Sequence, residues 1–262
     1  MLVLVPILGA GAVYAWRVRD LRLHPGRSSG GPNALRCGAF YAGLALAVVA
    51  LVPPLETLAE DRLFTAHMIQ HLLLADLVPI LLLVGLTRPL LRPAVRRLRP
   101  VEERLGPIAH PATALAMYVG MMWLWHVPAL YDAALSNPWV HALEHACFLT
   151  TGLAFWWFLI EPVPPRNRLT GPWAVGYVVA AKLLMGLLGV VLTFTPSVIY
   201  DHYKHTEPAW GLTPLQDINM GGIVMSLEQS LVLIVFFTIA FARMMESSER
   251  EQQRRERAEL AP

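Results

Sequence analysis

The chain has 262 residues, 55% of them apolar and 15% charged, with a mean hydropathy of +0.48 and a formal net charge of +2. Soluble domains carry roughly 25% charged residues, so this composition excludes an ordinary soluble enzyme, and the near-neutral balance gives nucleic acid nothing to bind. The two cysteines, Cys37 and Cys147, fall in separate segments at different depths and form no CxxC pattern, which excludes a disulfide framework or a thiol redox motif.

A spanning helix needs about 20 apolar residues, and seven segments approach that length: 2–16, 34–52, 63–86, 110–127, 139–160, 173–196 and 221–241. The first, MLVLVPILGAGAVYAW, is short and ends in small residues like a secretory signal. Its basic residues follow the apolar core instead of preceding it, which predicts a retained helix with its N-terminus outside.

Arg17, Arg19, Arg22, Arg27 and Arg36 then separate the first two segments, and Arg88, Arg92, Arg96, Arg97, Arg99 and Arg104 separate the third from the fourth. Arg166, Arg168 and the arginines of the C-terminal tail fall on the same side, whereas Arg62 and Lys204 are the basic residues of the opposite loops. The basic side is cytoplasmic by the positive-inside rule. The expectation is therefore an all-α membrane protein, a seven-transmembrane-helix bundle over residues 1–243 with its N-terminus outside and its C-terminus cytoplasmic. A charged cytoplasmic tail, 244–262, follows as a solvated helix or disorder. The longest outer loop, 197–220, is rich in turn formers and aromatics and reads as a lid over the helix ends, mobile over Tyr200–Asp217.

Seven of the nine histidines fall at the outer end of these segments: His67, His71, His126, His141, His145, His202 and His205. In AHMIQHLLL and in HALEHACF two histidines stand four residues apart, which stacks both imidazoles on one helix face. His126 ends the fourth segment at the same level. Singly, each reads as an interfacial or core group bonded to a carbonyl. Two such pairs in register, with a third helix beside them, read as a metal site, because ionisable side chains in spanning segments are costly and mark function.

Imidazole suits zinc and copper alike, and thioether sulfur favours copper(I). Met68, Met121, Met122, Met220 and Met225 lie at the same end; at least three of them read as core filler. Met220, with Asp217 just before it and a Gly221–Gly222 turn after it, reads as a placed ligand. The expected metal set is thus His67, His71, His126, His141, His145, Asp217 and Met220, holding copper(I), with zinc as the alternative. Glu144 and Glu228 are expected behind it, as carboxylates that orient ligating imidazoles. Asp76 and Lys182, both about 20 Å from their outer ends at 1.5 Å per residue, are expected to form a structural ion pair. Asp76 lies nine residues beyond His67, on the opposite side of the helix.

Taken in order, AHMIQHLLL, WHVPALYDAAL with HALEHACFLTTGLAFWW, and QDINMGGIVM resemble the CtaG-type assembly factors of caa-type cytochrome c oxidase, over roughly residues 60–240. The resemblance implies a multi-pass protein of the bacterial cytoplasmic membrane that helps deliver copper to a haem–copper oxidase subunit. Matching positions are His67, His71, His126, His141, His145, Asp217 and Met220. A periplasmic copper donor, the oxidase subunit and the lipid bilayer are the expected partners, a homodimer is left open, and the expected role is not enzymatic.

Three rivals remain at this stage. HALEH matches the H-x-x-E-H zinc-protease pattern, with Glu144 as base. Histidines on separate helices could ligate a haem, although no CxxCH sequence exists. A transporter would use Asp76, Lys182 and Glu228 as a path.

Overall fold

The computed structural model describes residues 4–24, 31–106, 110–164, 167–169, 171–204 and 210–259, and among these there are helices and turns but no strand. In chain order the helices are α1 (Leu4–Leu23), α2 (Ala34–Leu51), α3 (Leu55–Asp61), α4 (Phe64–Leu72), α5 (Val78–Gly85) and α6 (Arg88–Leu105). These are followed by α7 (Pro111–Trp125), α8 (Pro128–Ser136), α9 (Pro138–Ile160), α10 (Pro172–Thr193), α11 (Asp201–Lys204) and α12 (Pro214–Glu259).

Among the described residues five stretches are long and apolar enough to cross a bilayer: Ala34–Asp61, Phe64–Gly85, Pro138–Ile160, Pro172–Thr193 and Pro214–Ala242. A sixth results if α7 and α8, bent by 75°, count as one span. Helix α1 is longer than expected but carries Arg17, Arg19, Asp20 and Arg22 in its last two turns. The chain is a multi-pass membrane protein. Leu183, Leu187 and Val191 on α10 and Leu227, Leu231 and Ile234 on α12 are exposed outward, as lipid-facing side chains are.

Three segments depart from the expectation for definable reasons. The fourth does not run straight to Val127. Pro128 forces the residue before it out of helical geometry, Val127 is extended (φ −64°, ψ 125°), and the chain turns sharply into α8.

In the third, residues Leu73–Leu77 form a π-helical turn between α4 and α5. Pro79 has no N–H to give the carbonyl four residues back and its ring crowds that carbonyl, which frees the oxygen of Ala75. Gly152 of α9 packs onto it: a Cβ there would lie 2.3 Å from the Ala75 oxygen.

In the seventh, the helix begins at Pro214, not Gly221. Thr213 and Gln216 form a reciprocal capping box, with Thr213 N–H donating to Gln216 Oε1 (2.9 Å) and Gln216 N–H to Thr213 Oγ1 (3.3 Å). Gly221–Gly222 is therefore not a turn. It is the face through which α12 touches its neighbours: a Cβ on Gly222 would stand 2.4 Å from Thr193 N and 2.6 Å from Gly189 O of α10. Small residues serve this role wherever spanning helices pack closely. Helix α12 then continues unbroken to Glu259, so the boundary near residue 243 is one of composition, not of secondary structure.

At the arginine-rich end, side chains bond backbone carbonyls at the C-terminus of α5 and in the first turn of α6. Arg36 Nη1 reaches Val84 O (3.0 Å) and Leu86 O (3.2 Å), and Arg17 Nη2 reaches Pro89 O (3.3 Å). The expected loop after the third segment is helical, as α6, whose Leu90 packs with Tyr14, Val18 and Phe40.

Candidate metal centre

Two helix starts set the site. Helix α9 begins at Asn137, whose Oδ1 accepts the N–H of Trp139 (2.9 Å), with Pro138 at the first helical position. From there His141, Glu144 and His145 fall on one face by spacing alone. Helix α4 has no cap of its own. Asp217 of α12 supplies it from across the bundle, Oδ2 accepting Phe64 N–H (2.6 Å) and Oδ1 Thr65 N–H (3.1 Å), while Thr65 Oγ1 donates back to Asp217 O (3.0 Å). This anchors the turn that carries His67 and His71.

The two faces meet. One ligand atom from each of His67, His141, Glu144 and His145 lies within 4.8 Å of the others, and all four residues are buried. Glu144 oxygens stand 3.7 Å from His67 Nε2, 3.5 Å from His71 Nε2 and 4.0 Å from His141 Nε2. Among the described residues neither Glu144 oxygen has a hydrogen-bond partner, nor do the Nε2 atoms of His67, His71, His141 and His145. A bare carboxylate so enclosed costs several kcal/mol, which a proton or a shared cation would offset.

Proton positions fit a cation. His141 Nδ1 lies 2.8 Å from Glu60 Oε1; the carboxylate can only accept, so Nδ1 holds the hydrogen and Nε2 turns its lone pair towards Glu144. His67 Nδ1 is held by the Tyr131 hydroxyl at 2.8 Å. Glu60 thus fixes the tautomer and orientation of His141, and Tyr131 the orientation of His67, as outer partners of ligating imidazoles do. The donor set of three imidazoles and one carboxylate suits zinc or copper.

A cover closes the site at the helix ends. Tyr200 donates to His126 O (3.1 Å) and Tyr203 to Ala59 O (2.7 Å), and burial pushes both phenols up, keeping them protonated donors. Asp132 accepts the backbone N–H groups of Asp201 and His202 (both 3.1 Å). The expected mobile lid is thus, over Tyr200–Lys204, a tied cap; residues 205–209 lie outside the described residues, His205 among them.

Several expected members stand elsewhere. Asp217 is engaged as the cap of α4. Met220 is 40% exposed on the outer side of α12, because the helix runs through the segment expected to turn. His202 Nε2 bonds Glu60 O (2.7 Å). Glu144, expected behind the ligands, is in their midst. Glu228, expected beside His71, lies against Gln229 and Asp76. Asp76 Oδ1 accepts from Lys182 Nζ (2.7 Å), Tyr118 Oη (2.7 Å) and Trp156 Nε1 (2.8 Å), so the ion pair forms a separate buried group.

Glu60 and Tyr131 were not singled out from sequence. Glu60 sits in a short helix before the spanning segment, and Tyr131 reaches His67 through the 75° bend; no spacing rule connects either to a histidine.

Residues 12–247 match the family model for the cytochrome c oxidase caa3 assembly factor, Caa3_CtaG. The chain belongs to that family. The match takes in every residue of the histidine cluster. The chain is also 26% identical over 195 residues to uncharacterized proteins of Mycobacterium bovis and Mycobacterium tuberculosis, covering 68% of this chain and 30% of each relative. An uncharacterized protein of Mycobacterium leprae is 23% identical over 218 residues, covering 75% and 32%. The chain thus spans about a third of the length of the curated relatives it matches. No solved structure matches it.

Proposed function

We propose that this assembly factor binds copper at the periplasmic rim of the bacterial cytoplasmic membrane and passes it to a haem–copper oxidase subunit. In this reading seven crossings put the N-terminus outside, the arginine-rich loops and residues 244–262 in the cytoplasm, and the histidine cluster outside. A periplasmic donor supplies the copper; the copper is cargo, and the protein catalyses no reaction.

The observation that carries the reading is the buried convergence of His67, His141, Glu144 and His145 within 4.8 Å, with ring nitrogens and carboxylate oxygens that have no hydrogen-bond partner among the described residues. Imidazole suits copper, and its delivery is what an oxidase in assembly requires. The carboxylate also suits zinc, and metal analysis separates the two.

The test is metal content of the detergent-purified chain, with oxidase activity of the host membranes measured alongside. Wild type is expected to hold copper, and His67→Ala/His141→Ala to lose both the copper and the assembled oxidase. A double variant with full copper and full oxidase would overturn the proposal.

A further inference from the structure

Beside the cluster lies a second arrangement of donors, of different chemistry. Met68 is fully buried and His126 is 5% exposed. His126 Nδ1 is 2.6 Å from Met122 O. A carbonyl oxygen only accepts, so Nδ1 carries the ring hydrogen, and in the neutral ring Nε2 presents a lone pair. That lone pair faces Met68 Sδ at 3.2 Å, and a thioether offers lone pairs only.

Two acceptor atoms in contact gain no hydrogen bond, but a cation seated beside their line of contact would be bound by both. With metal–nitrogen and metal–sulfur bonds of about 2.0 and about 2.3 Å, the 3.2 Å separation closes on one ion at an angle of roughly 95°. His71 stands next to this pair, its ring 5.6 Å from that of His126, centroid to centroid. Among the described residues neither of its nitrogens has a hydrogen-bond partner, and its Nε2 is also 3.5 Å from Glu144 Oε1.

We propose that Met68 Sδ and His126 Nε2, with His71 as third donor, form a second metal position specific for a soft monovalent ion, Cu(I). It rests on the copper-binding reading above and divides the site into two stations that share His71. Charge and softness set the specificity. The first station's imidazoles accept Cu(I), and its carboxylate lets it hold a divalent ion as well. The second has neutral donors only, so a bound Cu(I) leaves one positive charge and Zn(II) two. Burial energy grows with the square of the charge, so the divalent ion is disfavoured there, and thioether sulfur selects Cu(I). Copper can stay cuprous at both stations, and transfer between them through His71 needs no electron.

The test is Cu(I) loading of the full-length, detergent-purified chain under anaerobic reducing conditions, read by stoichiometry and X-ray absorption. Wild type is expected to bind two equivalents, one with a sulfur scatterer at about 2.3 Å. Met68→Leu, which keeps side-chain volume, is expected to bind one, with nitrogen and oxygen scatterers only, and to keep its zinc capacity and melting temperature. Glu144→Gln is expected to retain the sulfur scatterer. Copper bound without sulfur in wild type would overturn the second station and leave the first standing. No copper bound by any form would overturn both readings.

Discussion

Replacing Lys182 with Met keeps the length of the stem and removes the ammonium that sits 2.7 Å from Asp76 Oδ1, with both side chains fully buried. Breaking a buried pair from one side costs about 3–5 kcal/mol. Here the residual carboxylate would also face Glu228 with no cation between the two acids. At roughly 2–4 °C per kcal/mol for a chain of this size, Lys182→Met should lower the melting temperature in a fixed detergent by roughly 6–20 °C.

The companion change Asp76→Asn separates charge from hydrogen bonding. The amide oxygen still accepts from Tyr118 and Trp156, which bond Asp76 Oδ1 at 2.7 and 2.8 Å; alone the change leaves the Lys182 ammonium unpaired, and combined with Lys182→Met it leaves neither member of the pair charged. The double variant Asp76→Asn/Lys182→Met is therefore expected to recover most of the loss, to within about 1–2 kcal/mol of wild type. A thermal-melting double-mutant cycle measures the coupling. A double variant that melts at the sum of the two single losses would refute the idea that uncompensated charge, not lost packing, dominates this site.

Glu60→Ala should weaken metal binding by about 10- to 100-fold, the usual effect of removing a ligand's outer partner. Glu60→Gln, which can still accept from His141 Nδ1, should weaken it less; competition with a chelator of known affinity measures both. Asp217→Ala removes the cap of α4 and should cost about 1–2 kcal/mol without changing metal stoichiometry, a result opposite to that of a ligand. Met220→Leu should leave both stability and metal content unchanged, since the side chain lies outside the cluster. Gly222→Ala drives a Cβ against the α10 backbone and should lower the melting temperature by an amount equivalent to about 1–3 kcal/mol.

The helices, their apolar faces and the stacking of His67 over His71 and of His141 over His145 were legible in the chain, because helical period and bilayer length act locally. So was the approach of Asp76 and Lys182, whose equal depths follow from counting residues. The boundary at Pro214 was also legible, in the capping box that Thr213 and Gln216 make, but the glycines after it read more strongly as a turn.

The partners of those residues could not be read locally. Met220 lies only three residues after Asp217, yet it is exposed while Asp217 is buried and holds the start of α4, since which part of that helix surface a neighbour covers is not written in the spacing. Glu144 is central because α4 packs onto the face of α9 that presents it. Glu60 reaches His141, and Tyr131 reaches His67, only once the break at Pro128 and the tied cap fold over the bundle.

The sequence by itself determined which side chains each helix face would carry, since that depends on a backbone period set by local hydrogen bonds. Only the tertiary structure decided which faces meet, because contact depends on where glycines let backbones approach and prolines break the helices, and those effects act between segments far apart in the chain.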